Sequence, residues 1–259
     1  MNHRIIASLA IAFGVGGTAL AESPEAITLP ESALPSPERD LGPLGLGEVT
    51  TSFGGWVKLN AMWSRYSDGD VASGNAGRDY FRPLSIPVTG SSGPSATHFD
   101  AHAKDTRIWL LSSAAAGDLK IGTRLEMDFR SSEQGNEIVS NSYSPRLRRA
   151  YVTVGNWLVG QEWTLFRNHS GNPESLDSLG ATDGLIFGRQ PQVRYTLGAW
   201  QMSLENNETF LLTNGGGSRQ VTGDTIVPDL HLRRNWQGGW GDMSVAAVLR
   251  HLAADGHRT

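Results

Sequence analysis

The sequence predicts an all-β fold, a transmembrane antiparallel β-barrel. Three features predict it. Apolar and polar residues alternate strictly through successive short segments, the connections between segments are alternately short and long, and an export leader is followed by no apolar run long enough to span a membrane as a helix.

The leader comprises residues 1–21. His3 and Arg4 supply the positive start, residues 5–20 are apolar or small, and Ala19-Leu20-Ala21 has the small-x-small form of a cleavage site. Ser8, Gly14, Gly16, Gly17 and Thr18 make it too weakly apolar for an anchor. Cysteine is absent from the 259-residue chain, which excludes a lipidated N-terminus, a disulfide framework, a thiolate metal site and a cysteine nucleophile. The formal net charge is −4, and there is no basic run that would hold nucleic acid. Residues 22–53 carry Pro24, Pro30, Pro35, Pro37 and Pro43 and read as an extended periplasmic linker. Residues 54–259 are the expected barrel segment.

The cleanest strand covers residues 118–130. Leu119, Ile121, Thr123, Leu125, Met127 and Phe129 fall on one face, and Lys120, Gly122, Arg124, Glu126, Asp128 and Arg130 on the other. In a barrel the first face meets lipid and the second lines water. The same alternation runs through residues 55–66, 189–198, 201–210, 227–236 and 242–253, and less cleanly through 104–114, 146–155 and 158–166, for nine predicted strands. Tight turns are predicted at 115–117, 156–157, 199–200 and 238–241, and long connections at 67–103, 131–145, 167–188 and 211–226. Outer-membrane barrels alternate in this way because short turns face the periplasm and long loops face outward. Trp157, Trp200 and Trp240 all sit at the short-turn end, where an aromatic girdle would meet the membrane interface.

Four stretches, GGWVKLNAMW (Gly54–Trp63), DTRIWLLSSA (Asp105–Ala114), GDLKIGTRLEMDF (Gly117–Phe129) and LRRAYVTVGNWLVGQEWTLF (Leu147–Phe166), resemble the DcaP-like porins in order and spacing. That resemblance implies a porin-type barrel of sixteen strands, a homotrimer in the outer membrane of a Gram-negative bacterium, a third loop folded into the pore, and passage of small anionic solutes such as dicarboxylates. The third long connection, 167–188, is the expected constriction loop and carries Glu174, Asp177 and Asp183. Two departures stand out. A Pro-rich linker occupies the place of the family's N-terminal coiled coil, and the chain stops after a ninth strand, so an N-terminal piece of a larger barrel is expected.

On the predicted inward faces stand Lys58, Lys120, Arg124, Arg149, Arg194, Arg233 and Arg250 against Glu126, Asp128, Glu205 and Asp229, an excess of +3 on a chain of net −4. Such an excess between low-dielectric walls favours anions. Strict alternation would turn Arg148 outward with Ala150, Val152 and Val154, as part of a basic rim. Catalytic and cofactor readings are weak. His98 and His102 have metal-ligand spacing but no third partner, and Glu126 and Asp128 share a face with Arg124 and Arg130, so arginine pairing is the simpler account. No enzyme, cofactor or metal is expected. Two other readings are a secreted soluble β-sandwich that binds or hydrolyses a ligand, and a barrel with an adhesive or structural role.

Overall fold

The computed structural model describes residues 3–15, 27–28, 47–80, 86–88, 90, 93–130, 140–169, 186, 188–207, 209–212, 219–222, 226–239 and 241–251. In chain order the strands are β1 (His3–Val15), β2 (Ile27–Thr28), β3 (Thr50–Tyr66), β4 (Ala96–His102), β5 (Arg107–Ala116), β6 (Leu119–Asp128), β7 (Arg146–Val154), β8 (Trp157–Trp163), β9 (Arg189–Leu197), β10 (Trp200–Glu205), β11 (Thr209–Leu212), β12 (Arg219–Thr222), β13 (Asp229–Gly238) and β14 (Gly241–Leu249). One short helix, α1 (Ala76–Asp79), lies between β3 and β4. No described helix is long and apolar enough to cross a membrane, which has no bearing on crossing by strands.

Apart from β11 and β12, which pair only with each other, all strands join one sheet in the order β14-β13-β10-β9-β8-β7-β6-β5-β3-β1-β2, with β4 also on β3. β5 pairs with Thr50–Trp56 and β4 with Asn60–Tyr66 along the same edge of β3. β4 and β5 are therefore one wall strand interrupted at residues 103–106. The wall then has the nine strands predicted, every neighbour antiparallel, in a sheet that does not close on itself. Two predicted connections are corrected: 67–103 contains β4 and α1, and the β11–β12 hairpin runs into 211–226 from Thr209, inside the strand predicted over 201–210, whose wall part, β10, ends at Glu205. β3 also starts at Thr50, inside the expected linker. Residues 3–15, expected within the leader, run antiparallel along the other edge of β3.

The sheet is inside-out relative to a soluble protein. Trp63, Phe99, Leu197 and Val245 are 61%, 68%, 63% and 58% exposed, whereas Glu126, Glu205 and Asp229 are each 1% exposed. On β3, Val57, Leu59 and Trp63 lie outward while Asn60, Met62, Ser64 and Tyr66 are covered. A sandwich would bury the first set. Here the alternation has been used in the opposite sense, as lipid contact requires.

Tight turns sit where Ala116 faces Leu119, Val154 faces Trp157 and Leu197 faces Trp200, so each connecting loop is two residues long. Each opens on a glycine with positive φ, Gly117 at 60°, Gly155 at 54° and Gly198 at 58°. This is the Gly-first chemistry of a type II′ hairpin, whose twist matches that of the flanking strands. The turns thus fall a residue or two from their predicted positions, and Trp157 and Trp200 become the first residues of β8 and β10. Both are exposed, and the Trp157 ring lies 4.8 Å from that of Tyr195, as a girdle at this end would have it. Trp240 is outside the described residues.

Leu125 stands on the exposed face of β6, opposite the exposed Leu110 of β5. An arginine there would face hydrocarbon near mid-wall. Leu125→Arg is expected to cost about 2–4 kcal/mol of stability in bilayers, read from urea unfolding in phospholipid vesicles.

Candidate functional site

The covered face is built from charged side chains that cross between strands. Glu126 on β6 receives Arg124 from its own strand at 2.7 Å and Arg148 from β7 at 2.8 Å, with Arg107 of β5 at 3.6 Å and Arg149 of β7 at 3.7 Å. Asp128, two residues on, receives Arg146 at 2.8 Å and Arg148 at 2.6 Å. One guanidinium therefore bridges both carboxylates. The expectation that these two acids pair with arginine holds, although Arg130 gives its side chain to Asp105 and only its backbone N–H to Asp128. Asp105 also accepts from Asn60 at 2.6 Å and faces Lys58 at 3.9 Å.

Arg148 corrects the sequence reading. It is not on an outward rim but 5% exposed on the covered face. The cause is a register shift in the β6–β7 pairing. Glu126 faces Arg149 but Met127 faces Leu147, so Arg148 is the extra residue of a β-bulge. A bulge reverses the phase of alternation. Arg146 before it, Arg148 within it, and Arg149, Tyr151 and Thr153 after it all turn inward, while Leu147 and Val152 are exposed.

The base of the third long connection folds over this face. β8 ends at Trp163, three residues short of its predicted end, and the next residues are covered, with Leu165 at 1% and Arg167 at 6% exposure. The Leu165 N–H donates to Glu205 Oε1 of β10 at 2.8 Å, and Ser203 Oγ donates to the same oxygen at 2.7 Å. Arg233 of β13 donates to the carbonyls of Leu165 and Arg167 and to Asn168 Oδ1. Thr164 N–H donates to Gly188 O at 3.0 Å, which ties the two ends of the connection together. Glu205 and Arg233 thus fasten the loop base to the wall. Glu174, Asp177 and Asp183 lie outside the described residues.

A cavity of about 230 Å³ opens beside this base, lined by Arg149, Arg167, Arg194 and Arg233 together with Glu162 and His169. The charges there are unevenly compensated. Arg149 is paired with Glu162 through Nε at 2.8 Å. Arg194 instead donates to Gln192 Oε1 at 2.9 Å and to Trp163 O at 2.6 Å, and Arg233 donates to Asn235 Oδ1, Asn168 Oδ1 and carbonyls. These hydrogen-bond acceptors are neutral, and the nearest carboxylates acting on Arg194 are those of Glu162 and Glu205.

All the inward candidates of the sequence reading, Lys58, Lys120, Arg124, Glu126, Asp128, Arg149, Arg194, Glu205, Asp229, Arg233 and Arg250, share this polar face. They divide by role. Lys58, Arg124, Arg149 and Arg250 are matched to carboxylates, Arg250 to Asp229 at 2.8 Å through Nε, while Lys120 is exposed near the turns. Arg107, Asp105 and Glu162 belong to the same network. Their alternation parity was readable, but interrupted strands and strand ends obscured it. His98 and His102 bond different partners. His98 bonds Asp70 at 2.5 Å, His102 bonds the Asp79 carbonyl at 2.9 Å, and no metal-binding cluster occurs among the described residues. The His98 hydrogen bond holds the Asp70 carboxyl below its ordinary range.

Removing one member of a buried ion network leaves its partners desolvated. Arg148→Met is expected to destabilise the protein by about 3 kcal/mol, the low end of that range because Arg124 and Arg146 still serve the two acids. Urea unfolding in vesicles, followed by tryptophan fluorescence, measures it.

The model of the DcaP outer membrane protein family matches residues 74–245. No curated protein matches the sequence significantly. The crystal structure of the outer membrane channel DcaP of Acinetobacter baumannii superposes with a TM-score of 0.57 at 27% identity, over 77% of this chain and 53% of that one. The chain thus spans about half the length of the channel it matches. An inside-out antiparallel wall, an inward loop base and a family match across most of the wall lead to one conclusion: the chain belongs to the DcaP outer membrane protein family.

Proposed function

We propose that this chain forms part of the wall of an outer-membrane diffusion channel that favours small anionic solutes, dicarboxylates among them. The observation that carries the reading is the pair Arg194 and Arg233, whose charges face the cavity at the loop base with only neutral acceptors. Low-dielectric walls focus such a field, and anions concentrate where it is strongest. The cluster around Glu126 and Asp128 adds to the same positive field, because Arg107, Arg124, Arg146, Arg148 and Arg149 outnumber its two acids. The matched protein is itself an outer membrane channel, which favours transport over adhesion or a purely structural role.

In the same reading residues 1–21 are a leader removed on export, which frees the edge of β3 that β1 occupies, and residues 22–49 link the mature N-terminus to the wall. Assembly as a homotrimer follows from the resemblance of the four quoted stretches to trimeric channels.

In a tenfold KCl gradient across a planar bilayer, the reconstituted channel is expected to give a reversal potential of anionic sign. Arg194→Glu is expected to move it toward cation preference, and Arg124→Gln, which removes one charge rather than reversing one, to move it less. A cation-selective wild type, or absence of conductance, would reject the reading.

A further inference from the structure

The outer face of the wall is apolar almost throughout, and Arg234 is an exception at a particular height. It lies on the exposed face of β13, in line with Leu230 and Leu232 and opposite the exposed Val245 of β14. Its other neighbour is Trp200, the residue that opens β10 directly after the Gly198–Ala199 turn. Arg234 therefore sits level with the aromatic residues of the tight-turn end. Its guanidinium carbon is 5.1 Å from the centre of the Trp200 ring and 4.9 Å from that of Trp236. Among the described residues it forms no ion pair, and the outward residues around it carry no charge.

These facts combine into a site. The two indoles interact with the cation while its donor edge remains free for an acceptor. A guanidinium fork fits two oxygens of one phosphate, as a point charge does not. The surrounding face is apolar, so the counter-charge has to come from the medium that covers it. At the membrane interface that medium presents phosphodiesters.

We propose that Arg234, held between Trp200 and Trp236, docks the phosphate of a phospholipid headgroup at the tight-turn end of the wall. A lipid so placed has its acyl chains along Leu232, Met202 and Val245, which are 44%, 49% and 58% exposed. The phosphate and the apolar stripe are then recognised together.

The test uses the assembled channel in uncharged detergent, titrated with dimyristoyl-phosphatidylglycerol, with bound lipid counted by native mass spectrometry. Arg234→Gln is expected to weaken the tightest lipid adduct by roughly tenfold, whereas Arg65→Gln, on the outer face at the opposite end, leaves it unchanged. Inorganic phosphate at equal concentration is expected neither to bind nor to compete. If Arg234→Gln fails to assemble, Arg234→Lys carries the test, since it keeps the charge and loses the fork, and should still weaken the adduct. Undiminished lipid binding by either variant overturns the proposal. So does competition by inorganic phosphate, which would mark a site for free anions, or copy-to-copy disulfide formation by Arg234→Cys, which would mark a subunit contact.

Discussion

The register of β6 against β7 depends on how Glu126 and Asp128 are paired with arginine. Two carboxylates on one strand would repel each other and resist desolvation. Arginines from β5, β6 and β7 converge on them instead, and Arg148 reaches both. Buried ion networks contribute little net stability compared with apolar packing, because desolvation offsets most of the attraction. A barrel wall has no apolar alternative on this side, since the apolar side chains are committed to lipid. What the network supplies is register: β6 and β7 can place these partners together only with the bulge at Arg148.

The same logic extends to the base of the third long connection. In lipid the backbone must satisfy itself through the ladder, but a loop that turns inward leaves its ladder and needs other partners. Glu205 accepts the Leu165 N–H, and Arg233 takes the carbonyls that follow. The wall therefore positions the loop through side chains that sequence reading would assign to the pore alone. Glu205 and Asp229 look like pore charges by parity, yet each is 1% exposed and committed to a partner, Leu165 and Arg250 respectively. Among the side chains at the loop base, Arg194 and Arg233 instead hydrogen-bond neutral acceptors.

The wall was legible because strand periodicity survives unless something shifts its phase. The run from Leu119 to Asp128 has no such shift, and the exposed Leu125 beside the buried Glu126 and Asp128 follows its alternation. Arg148 departs from strict alternation because a bulge adds one residue without a composition signal. Three arginines in four positions, Arg146, Arg148 and Arg149, were the available hint, since strict alternation cannot turn all of them to one side. β4 was missed because the Gly- and Ser-rich stretch before it hides a strand that alternates through Thr97, Phe99 and Ala101. The end of β8 was overrun because Thr164 to Phe166 continues the composition of a strand, and only tertiary contact with Glu205 tells the chain to leave the sheet.

The central claim is that the alternating faces are used inside-out, with the phase reversed at Arg148. The absence of native cysteine makes the most direct measurement a single-cysteine scan of β6 and β7 in the membrane-inserted channel, with a water-soluble and a lipid-soluble thiol reagent. The account predicts that cysteines at Leu125, Leu147 and Val152 react with the lipid-soluble reagent, and that those at Arg124, Arg148 and Arg149 react with the water-soluble one. Water-phase labelling at Leu125 and Val152, or lipid-phase labelling at Arg148 in step with Ala150, would contradict it.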